Sequence, residues 1–228
     1  MFALIKSIRA RDPAQPTFLE VLLAYNGYHA VLIHRMNHFL WENTPLRALP
    51  RFLANIGKIL TGIEIHPQAR IGKNLFIDHG TGIVIGQTAV IGDEVTLYHG
   101  VTLGGKGGNV SGKRHPTLED GVIIGAGAQV LGDITIGAGG KIGANAVVIH
   151  NVPDGCTAVG NPARIVNCGE DKGRSYGMPR ALVDPVGEAI SGLVNDVERL
   201  KEKTGLKPDK TALKDGEDYT DLWKGTGI

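Results

Sequence analysis

Aliphatic residues recur every six positions through the middle of this chain, and this period constrains the fold more than any other feature of its 228 residues. It fits neither the 3.6-residue repeat of an α-helix nor the plain alternation of one long strand. It is typical of a solenoid of short strands and turns, whose stacked coils bury what one coil cannot. Two series, with a two-residue slip after Ile83, contain the repeated positions Ile65, Ile71, Ile77, Ile83, Ile85, Ile91, Leu97, Leu103, Ile124, Val130, Ile136, Ile142 and Val148.

The glycines support a solenoid in the same part of the chain. Of 33 glycines, 21 lie between residues 63 and 165, often directly after the repeated aliphatic residue. Glycine permits positive φ at tight turns, and the low aromatic content of 5% suits a narrow interior. The pattern resembles the hexapeptide-repeat family, which implies a left-handed parallel β-helix of roughly five coils. The period alone would describe an ice-binding or purely structural solenoid equally well.

The two ends of the chain differ from this middle. Residues 16–60 have apolar residues at helical spacing and predict two helical segments, the second of which ends at Gly62. Residues 185–204 predict a mildly amphipathic helix inside a polar, flexible C-terminal tail. We therefore expect an α+β chain with an N-terminal helical domain at 1–62, a β-helix at 63–166 and a C-terminal segment at 167–228.

Composition excludes several classes of protein. With 24 basic and 23 acidic residues, the net charge of +1 gives no electrostatic basis for binding nucleic acid or an anionic membrane. Two cysteines, Cys156 and Cys168, are too few for a disulfide scaffold or a four-cysteine zinc site. No apolar run approaches the roughly 20 residues of a membrane helix. We expect a soluble, cytoplasmic protein.

One polar, glycine-rich segment interrupts the period between Leu103 and about Thr117. A loop of this length is uncommon in a compact fold unless it carries function. Its Lys113-Arg114-His115-Pro116 sequence is the part we expect to supply site residues. A tolerated insertion is the alternative.

Glu64 and His79 are the best candidates for a general-base pair. They are separated by nearly one coil, so adjacent coils could bring the carboxylate beside the imidazole. A carboxylate fixes the tautomer of an imidazole and stabilises its charged form. Acidic and histidine residues also occur together on solenoid corners without function, so spacing alone leaves both interpretations open.

Zinc is a second possibility for the histidines of the repeat, as in hexapeptide-repeat carbonic anhydrases. The four candidates are His66, His79, His99 and His115. The loop contains no close pair of histidines, and we predict no metal site.

Six motifs together resemble serine O-acetyltransferase over about residues 9–166. They are RDPA at 11–14, GIEIHP at 62–67, IDHGTG at 77–82, GVTLGG at 100–105, GKRHP at 112–116 and VGNPAR at 159–164. The resemblance implies transfer of acetyl from acetyl-CoA to the hydroxyl of L-serine, which gives O-acetyl-L-serine and CoA in the first step of cysteine biosynthesis. Another hydroxyl acceptor, such as homoserine or a sugar, and a non-catalytic binding subunit remain alternatives.

The same resemblance assigns a role to each matching residue. It implies that His79 is the general base, that Glu64 orients it, and that Asp12 and Asp78 hold the ammonium of serine. Arg114 would hold the carboxylate and His115 would contact serine. The positions matched to acetyl-CoA binding are Gly104, Gly105, Ala126, Lys141, Gly143, Ala144 and Arg164.

Family membership would also imply partners. These are a homotrimer or a hexamer, L-cysteine as feedback inhibitor, and O-acetylserine sulfhydrylase bound through the C-terminal Ile228. The chain departs from the family pattern at Gln87, where glutamate is common, and at Lys106, where threonine often follows the glycine pair. Its loop is about one residue longer than in enteric members, and its helical N-terminal part is short.

Overall fold

The computed structural model describes residues 2–107, 112–168 and 185–205. The predicted partner-binding residue Ile228 and the middle of the loop, 108–111, lie outside these ranges. Among the described residues, no helix is both long and apolar enough to cross a membrane.

Four helices precede the solenoid: α1 (Phe2–Arg11), α2 (Phe18–Ala24), α3 (Asn26–Asn43) and α4 (Ala48–Thr61). A capping box between Thr17 and Glu20 begins α2. Gly62, with φ of 75°, ends α4 in the left-handed conformation, as its position in the sequence predicts. The first predicted segment is two helices, since the backbone of Tyr25 is extended between α2 and α3.

Helix α1 was not predicted from the sequence. Its buried face consists of Leu4, Ile5 and Ile8, one helical turn that charged residues interrupt. Arg11 fixes the end of α1 to a corner of the solenoid, where its guanidinium donates to the carbonyl oxygens of Glu94 (2.8 Å) and Asn74. The next residue, Asp12, is thereby held beside the solenoid.

Residues 64–160 form a parallel β-solenoid with three faces. Its strands, with the antiparallel β15 that follows, are β1 (Glu64–Ile65), β2 (Arg70–Ile71), β3 (Phe76–Asp78), β4 (Val84–Ile85), β5 (Val90–Ile91), β6 (Thr96–Tyr98), β7 (Thr102–Gly104), β8 (Thr117–Leu118), β9 (Ile123–Ile124), β10 (Gln129–Leu131), β11 (Thr135–Ile136), β12 (Lys141–Ile142), β13 (Val147–Val148), β14 (Cys156–Gly160) and β15 (Ala163–Cys168).

The strands stack into three sheets. The first sheet has the order β1-β4-β7-β10-β13, the second β2-β5-β8-β11, and the third β3-β6-β9-β12-β14-β15. Five strands in the first sheet correspond to five coils, which confirms the prediction of N-terminal helices followed by a hexapeptide-repeat solenoid. β14 and β15 form an antiparallel hairpin, joined by a disulfide between Cys156 and Cys168 that the sequence analysis did not predict.

The side chains that recur every six residues face the interior of the solenoid. Every repeated aliphatic position is buried except Ile71, which is half-buried, and Leu118 in β8 resumes the series after the loop. The two-residue slip is an enlarged corner between β3 and β4, where His79, Gly80 and Gly82 all have positive φ. Because of this corner, Glu64 pairs with Val84, twenty residues on, whereas Val84 pairs with Thr102, eighteen residues on.

The C-terminal helix α5 (Pro185–Thr204) has the bounds that the sequence predicts. It forms a unit separate from the helices and solenoid. The proposed domain boundaries at 62/63 and 166/167 stay a prediction.

Candidate active site

Two edges of the solenoid carry the predicted site residues. The His79 edge is the corner through which the chain passes from the third sheet to the first, at residues 79–83, 99–101, 125–128 and 143–146. The Arg114 edge is the corner from the first sheet to the second, at residues 66–69, 86–89, 105–107 and 112–116. The interrupting loop lies at the second of these corners.

Asp12, Asp78 and His79 come together at the His79 edge. His79 Nε2 lies 3.8 Å from Asp78 Oδ1, and its imidazole is 72% exposed. The hydroxyl of Tyr25 donates a 2.6 Å hydrogen bond to Asp12 Oδ2, while the backbone N–H of Ala14 donates to Oδ1. The ring of His99, from the next coil, lies edge-on to His79 with centroids 6.0 Å apart.

Negative charge is concentrated at this edge. Burial raises the pKa of Asp78, and the nearby carboxylate of Asp12 raises it further, while His79 and His99 oppose the shift. Burial, together with the hydrogen bond to Asp12, also raises the pKa of Tyr25, so this hydroxyl remains a donor at neutral pH. A cation placed between two neighbouring carboxylates reduces their mutual repulsion and stabilises both in the ionised form. The His79 edge therefore suits a positively charged group.

The Arg114 edge is organised around Thr88. Its Oγ1 accepts hydrogen bonds from the backbone N–H groups of Arg114 (2.9 Å) and His115 (3.1 Å). The backbone N–H of Thr88 donates to His115 Nδ1 at 3.2 Å, and Thr88 Oγ1 lies 2.8 Å from the same nitrogen. Thr88 thereby holds the backbone N–H groups of Arg114 and His115 and the imidazole of His115. The sequence analysis did not identify Thr88 as a site residue.

The guanidinium of Arg114 is held from a second direction. Its Nη2 donates to Gln87 Oε1 at 3.2 Å, and Gln87 Nε2 donates to Gln68 Oε1 at 2.8 Å. A cavity of about 210 Å³ adjoins these side chains, lined in part by Gln68, Gln87 and Thr88. The Arg114 edge therefore offers an oriented cation, which suits a carboxylate.

Two histidines at the Arg114 edge are held in their neutral form. Burial lowers the pKa of His115, and the charges of Arg114 and Lys113 lower it further. Burial likewise lowers the pKa of His66 to about 4, with contributions from Arg51, His115 and Arg114. His66 Nδ1 accepts the backbone N–H of Gln68 at 3.0 Å, which requires that nitrogen to be unprotonated.

The two edges are separated within one chain. They flank the first sheet, and the four residue steps from Gly82 to Gly86 span about 13 Å of extended chain. One face of the solenoid thus lies between the carboxylates and the guanidinium. Among the described residues, no group of three or more His, Cys, Asp or Glu side chains could hold a metal ion.

The predicted contact between Glu64 and His79 is not formed in the described chain. Glu64 Oε2 instead pairs with Lys58 Nζ at 2.5 Å, and the carboxylate closest to His79 belongs to Asp78. The enlarged corner is the physical reason, because it aligns Glu64 with Val84 and moves the expected register. The role of Glu64 therefore stays a prediction.

Most of the residues predicted to bind acetyl-CoA lie on or next to the same two edges. Gly104 ends β7 and Gly105 begins the Arg114 edge, whereas Ala126, Gly143 and Ala144 lie on the His79 edge. On the His79 edge, the backbone N–H of Asn145 donates to the carbonyl of Ala126 at 2.8 Å. This hydrogen bond stacks the corner at 143–146 on the corner at 125–128. Lys141 and Arg164 lie on β12 and β15 of the third sheet.

Comparison with protein families and relatives gives a consistent result. Residues 115–150 match the family described as "Bacterial transferase hexapeptide (six repeats)". A serine acetyltransferase of Mycobacterium tuberculosis is 47% identical over 228 residues, covering 95% of this chain and 96% of that protein.

Solved structures of similar proteins contain three informative ligands. Soybean serine acetyltransferase complexed with serine is 49% identical with a TM-score of 0.69, covering 72% of this chain and 67% of that one. A serine acetyltransferase in complex with CoA is 44% identical with a TM-score of 0.67, covering 72% and 67%. Another, in complex with cysteine, is 45% identical with a TM-score of 0.71, covering 74% and 65%.

Proposed function

Because this chain belongs to the serine acetyltransferase family, we propose that it transfers the acetyl group of acetyl-CoA to the hydroxyl of L-serine. The products are O-acetyl-L-serine and CoA, and the reaction is the first step of cysteine biosynthesis. One observation carries the choice of an amino acid as acceptor: two carboxylates lie at one edge and an oriented guanidinium at the other. A zwitterion needs both.

His79 acts as the general base in this proposal. It takes the proton of the serine hydroxyl as the oxygen attacks the thioester carbonyl carbon. The carbon–sulfur bond of acetyl-CoA then breaks, and the proton passes to the departing sulfur. The imidazole of His79, whose backbone has φ of 59°, supports this role because it is exposed at the corner and accessible to a substrate.

Glu64 orients His79 after exchanging its present partner. Its carboxylate is half-exposed and pairs with Lys58 through a surface ion pair. Such pairs are worth about 1 kcal/mol or less, so the carboxylate is free to move when substrate arrives.

Asp12 and Asp78 hold the ammonium of serine, and Arg114 holds its carboxylate. The raised pKa of Asp78 supports this assignment, since a bound ammonium relieves the repulsion from Asp12. His115, neutral at physiological pH, contacts the substrate from the Arg114 edge. Its lowered pKa favours this neutral form.

The complete site requires two chains. Because one sheet separates the two edges, an amino acid cannot reach both on the same molecule. We propose a homotrimer in which the His79 edge of one copy faces the Arg114 edge of the next. Cyclic symmetry then gives three equivalent sites. Exposed apolar residues on the N-terminal helices, among them Phe39 and Phe52, are candidates for pairing two trimers into a hexamer.

Acetyl-CoA lies in the same groove between neighbouring copies. The division of its predicted contacts between the two edges supports this, since Gly104 and Gly105 would face Ala126, Gly143 and Ala144 of another copy. Lys141 and Arg164 supply positive charge for the phosphates of CoA.

Three further properties belong to the proposal. L-cysteine, which resembles serine at both charged ends, competes for the serine site as a feedback inhibitor. O-acetylserine sulfhydrylase binds Ile228, a residue outside the described ranges. The location is cytoplasmic.

The test is acetyl-CoA consumption by the purified chain with L-serine, L-homoserine or a galactoside, each with and without L-cysteine. We expect turnover with L-serine and its inhibition by L-cysteine. Faster turnover with L-homoserine or the galactoside would show that this acceptor, and not serine, is the preferred substrate. Absence of turnover together with binding of the sulfhydrylase would favour a non-catalytic subunit.

A further inference from the structure

Gln87 connects the Arg114 guanidinium to the body of the solenoid. Its side-chain oxygen accepts from Arg114 Nη2, and its nitrogen donates to Gln68 Oε1. Both ends of the Gln87 amide are therefore used, and the guanidinium, which can only donate, determines which end faces it. Gln68 is itself fixed, because its backbone N–H donates to His66 Nδ1.

We propose that Gln87 is a positioning residue: it aims the guanidinium of Arg114 at the carboxylate of the amino acid without neutralising its charge. This inference rests on the proposed function. An amide holds the guanidinium through a hydrogen bond and leaves its full positive charge for the substrate. A carboxylate at the same place would form an ion pair with Arg114 and offset part of that charge.

The neutral amide of Gln87 also affects the pKa values of the two nearby histidines, because most of the charged groups around it are positive. The positive groups nearby are Arg51, Arg70, Lys113 and Arg114, and Glu42 also lines the adjoining cavity. The positive groups on Arg51, Lys113 and Arg114 contribute to the lowered pKa values of His66 and His115. A negative charge at position 87 would reverse part of that effect.

Two variants separate positioning from charge. Gln87→Met keeps the volume and removes both hydrogen bonds, and we expect the KM for serine to rise about tenfold while the KM for acetyl-CoA changes less than twofold. Gln87→Glu keeps an acceptor for Arg114 and adds the charge. We expect it to move the acid limb of kcat/KM for serine to higher pH, a shift that Gln87→Met does not produce.

Each result has a defined meaning. An unchanged serine KM in Gln87→Met would overturn the positioning role, and an unmoved acid limb in Gln87→Glu would overturn the charge argument. If one variant fails to form a folded oligomer, the other variant still tests its own part of the proposal. Failure of the wild-type chain to acetylate serine would contradict the proposed function instead, so the two failures are distinguishable.

A second, independent observation concerns helix α5. Four apolar side chains follow the 3-4-3 spacing of a coiled-coil seam and are 47–65% exposed in this chain: Ile190, Leu193, Val197 and Leu200. With Ile190 and Val197 at position a of the heptad, Leu193 and Leu200 occupy position d. Val194 at position e widens the apolar stripe beyond a two-residue seam.

Charge determines the orientation in which such helices can associate. Asp196 occupies position g and Lys201 position e, five residues later. In a parallel assembly these residues meet between neighbouring helices as an opposite-charge pair. In an antiparallel pair about the same seam, Asp196 would meet Asp196 of the other copy.

We infer that α5 binds the α5 helices of other copies of this chain as a parallel coiled coil. Ile190 and Val197 at position a, with leucine at position d, favour pairing of two helices, and the proposed trimer supplies the neighbouring copies. Most of the stability of a protein helix comes from packing of its apolar face, and attachment of α5 to one oligomer raises its effective concentration to about millimolar.

Cysteine crosslinking of the full chain tests this contact. Leu193→Cys places a thiol at position d, where parallel copies meet in register, and Asn195→Cys places it on the opposite face. The chain's own two cysteines are paired with each other. We expect mild oxidation to convert up to two of every three Leu193→Cys chains into covalent dimers and to leave Asn195→Cys chains monomeric under denaturing conditions.

Charge reversal supplies the second arm. Asp196→Lys should reduce crosslinking through Leu193→Cys, and the double change Asp196→Lys with Lys201→Asp should restore it. Equal crosslinking of the Leu193→Cys and Asn195→Cys chains would overturn the contact. Serine acetylation measured on the same samples reports on the proposed function separately.

Discussion

The imidazole of His115 lies so close to Gly86 that a Cβ added at residue 86 would come within 2.0 Å of His115 Cδ2. Gly86 directly follows β4 of the first sheet. The next two residues, Gln87 and Thr88, orient Arg114 and His115. The glycine is therefore required here for close approach of a site residue, and its φ is not in the left-handed region.

Replacing Gly86 with alanine should displace His115 and disable the site. A clash of this size forces the ring or the loop to move, and a displacement of about 1 Å in a site can reduce the rate about 100-fold. We expect kcat/KM for serine to fall by about that factor, as measured by CoA release.

Gly107→Ala is the matched control, because a methyl group there meets nothing within 4 Å. Its activity should stay within twofold of the wild type. Equal activity of the Gly86→Ala and wild-type enzymes would show that His115 can leave this position without consequence.

Tyr25→Phe should weaken serine binding. The change removes the 2.6 Å hydrogen bond to Asp12 Oδ2 and leaves this carboxylate held by the backbone of Ala14 alone among the described hydrogen bonds. Hydrogen bonds to charged groups contribute about 1.5–3 kcal/mol, so we expect the KM for serine to rise at least tenfold. The KM for acetyl-CoA serves as the internal control, and an equal rise in both constants would argue for a general structural defect.

His66 should make the stability of the fold fall on acidification. Its pKa is about 4 in the folded chain and about 6.5 in the unfolded chain. Below pH 6.5 the unfolded state gains a proton that the folded state does not accept until about pH 4. The contribution of His66 to the free energy of unfolding is thus fully present above pH 6.5 and declines as the pH falls toward 4.

The measurement is urea unfolding at several pH values, at one protein concentration, for the wild type and His66→Asn. Asparagine can accept the N–H of Gln68 and does not titrate. We expect the pH slope between 6.5 and 4 to be shallower in the variant. Buried His34, whose pKa burial lowers to about 3, is present in both proteins, and His66 is only a minor cause of its shift. Identical slopes would show that His66 is protonated as readily as in the unfolded chain.

The coils of the solenoid were predictable from sequence because their cause is local and repeated. Each sixth residue faces a narrow interior, so the aliphatic period maps directly onto the strands. Gly62 and α5 were predictable for a similar reason, since a helix stop and a helical period are read from adjacent residues. Helix α1 was missed because its apolar face is a single turn among charged residues.

The arrangement of the site was harder to predict because it depends on the lengths of corners. A two-residue enlargement aligns Glu64 with Val84, and the loop brings Thr88 to His115 across 27 residues. Counting corners along the period would have assigned His79 and Arg114 to different edges. Family resemblance named these residues as a set but gave no indication of which edge each one occupies.

Complementation between two inactive variants tests the two-chain site most directly. When each variant is assembled alone, His79→Ala should lose at least 100-fold in turnover and Arg114→Ala about 100-fold in kcat/KM for serine. In a mixed trimer, one site in three combines an intact His79 from one copy with an intact Arg114 from its neighbour. Random mixing of equal amounts, with subunits exchanged by co-expression or co-refolding, should therefore restore about a quarter of wild-type activity. Mixed oligomers as inactive as either parent would contradict a site shared between two chains.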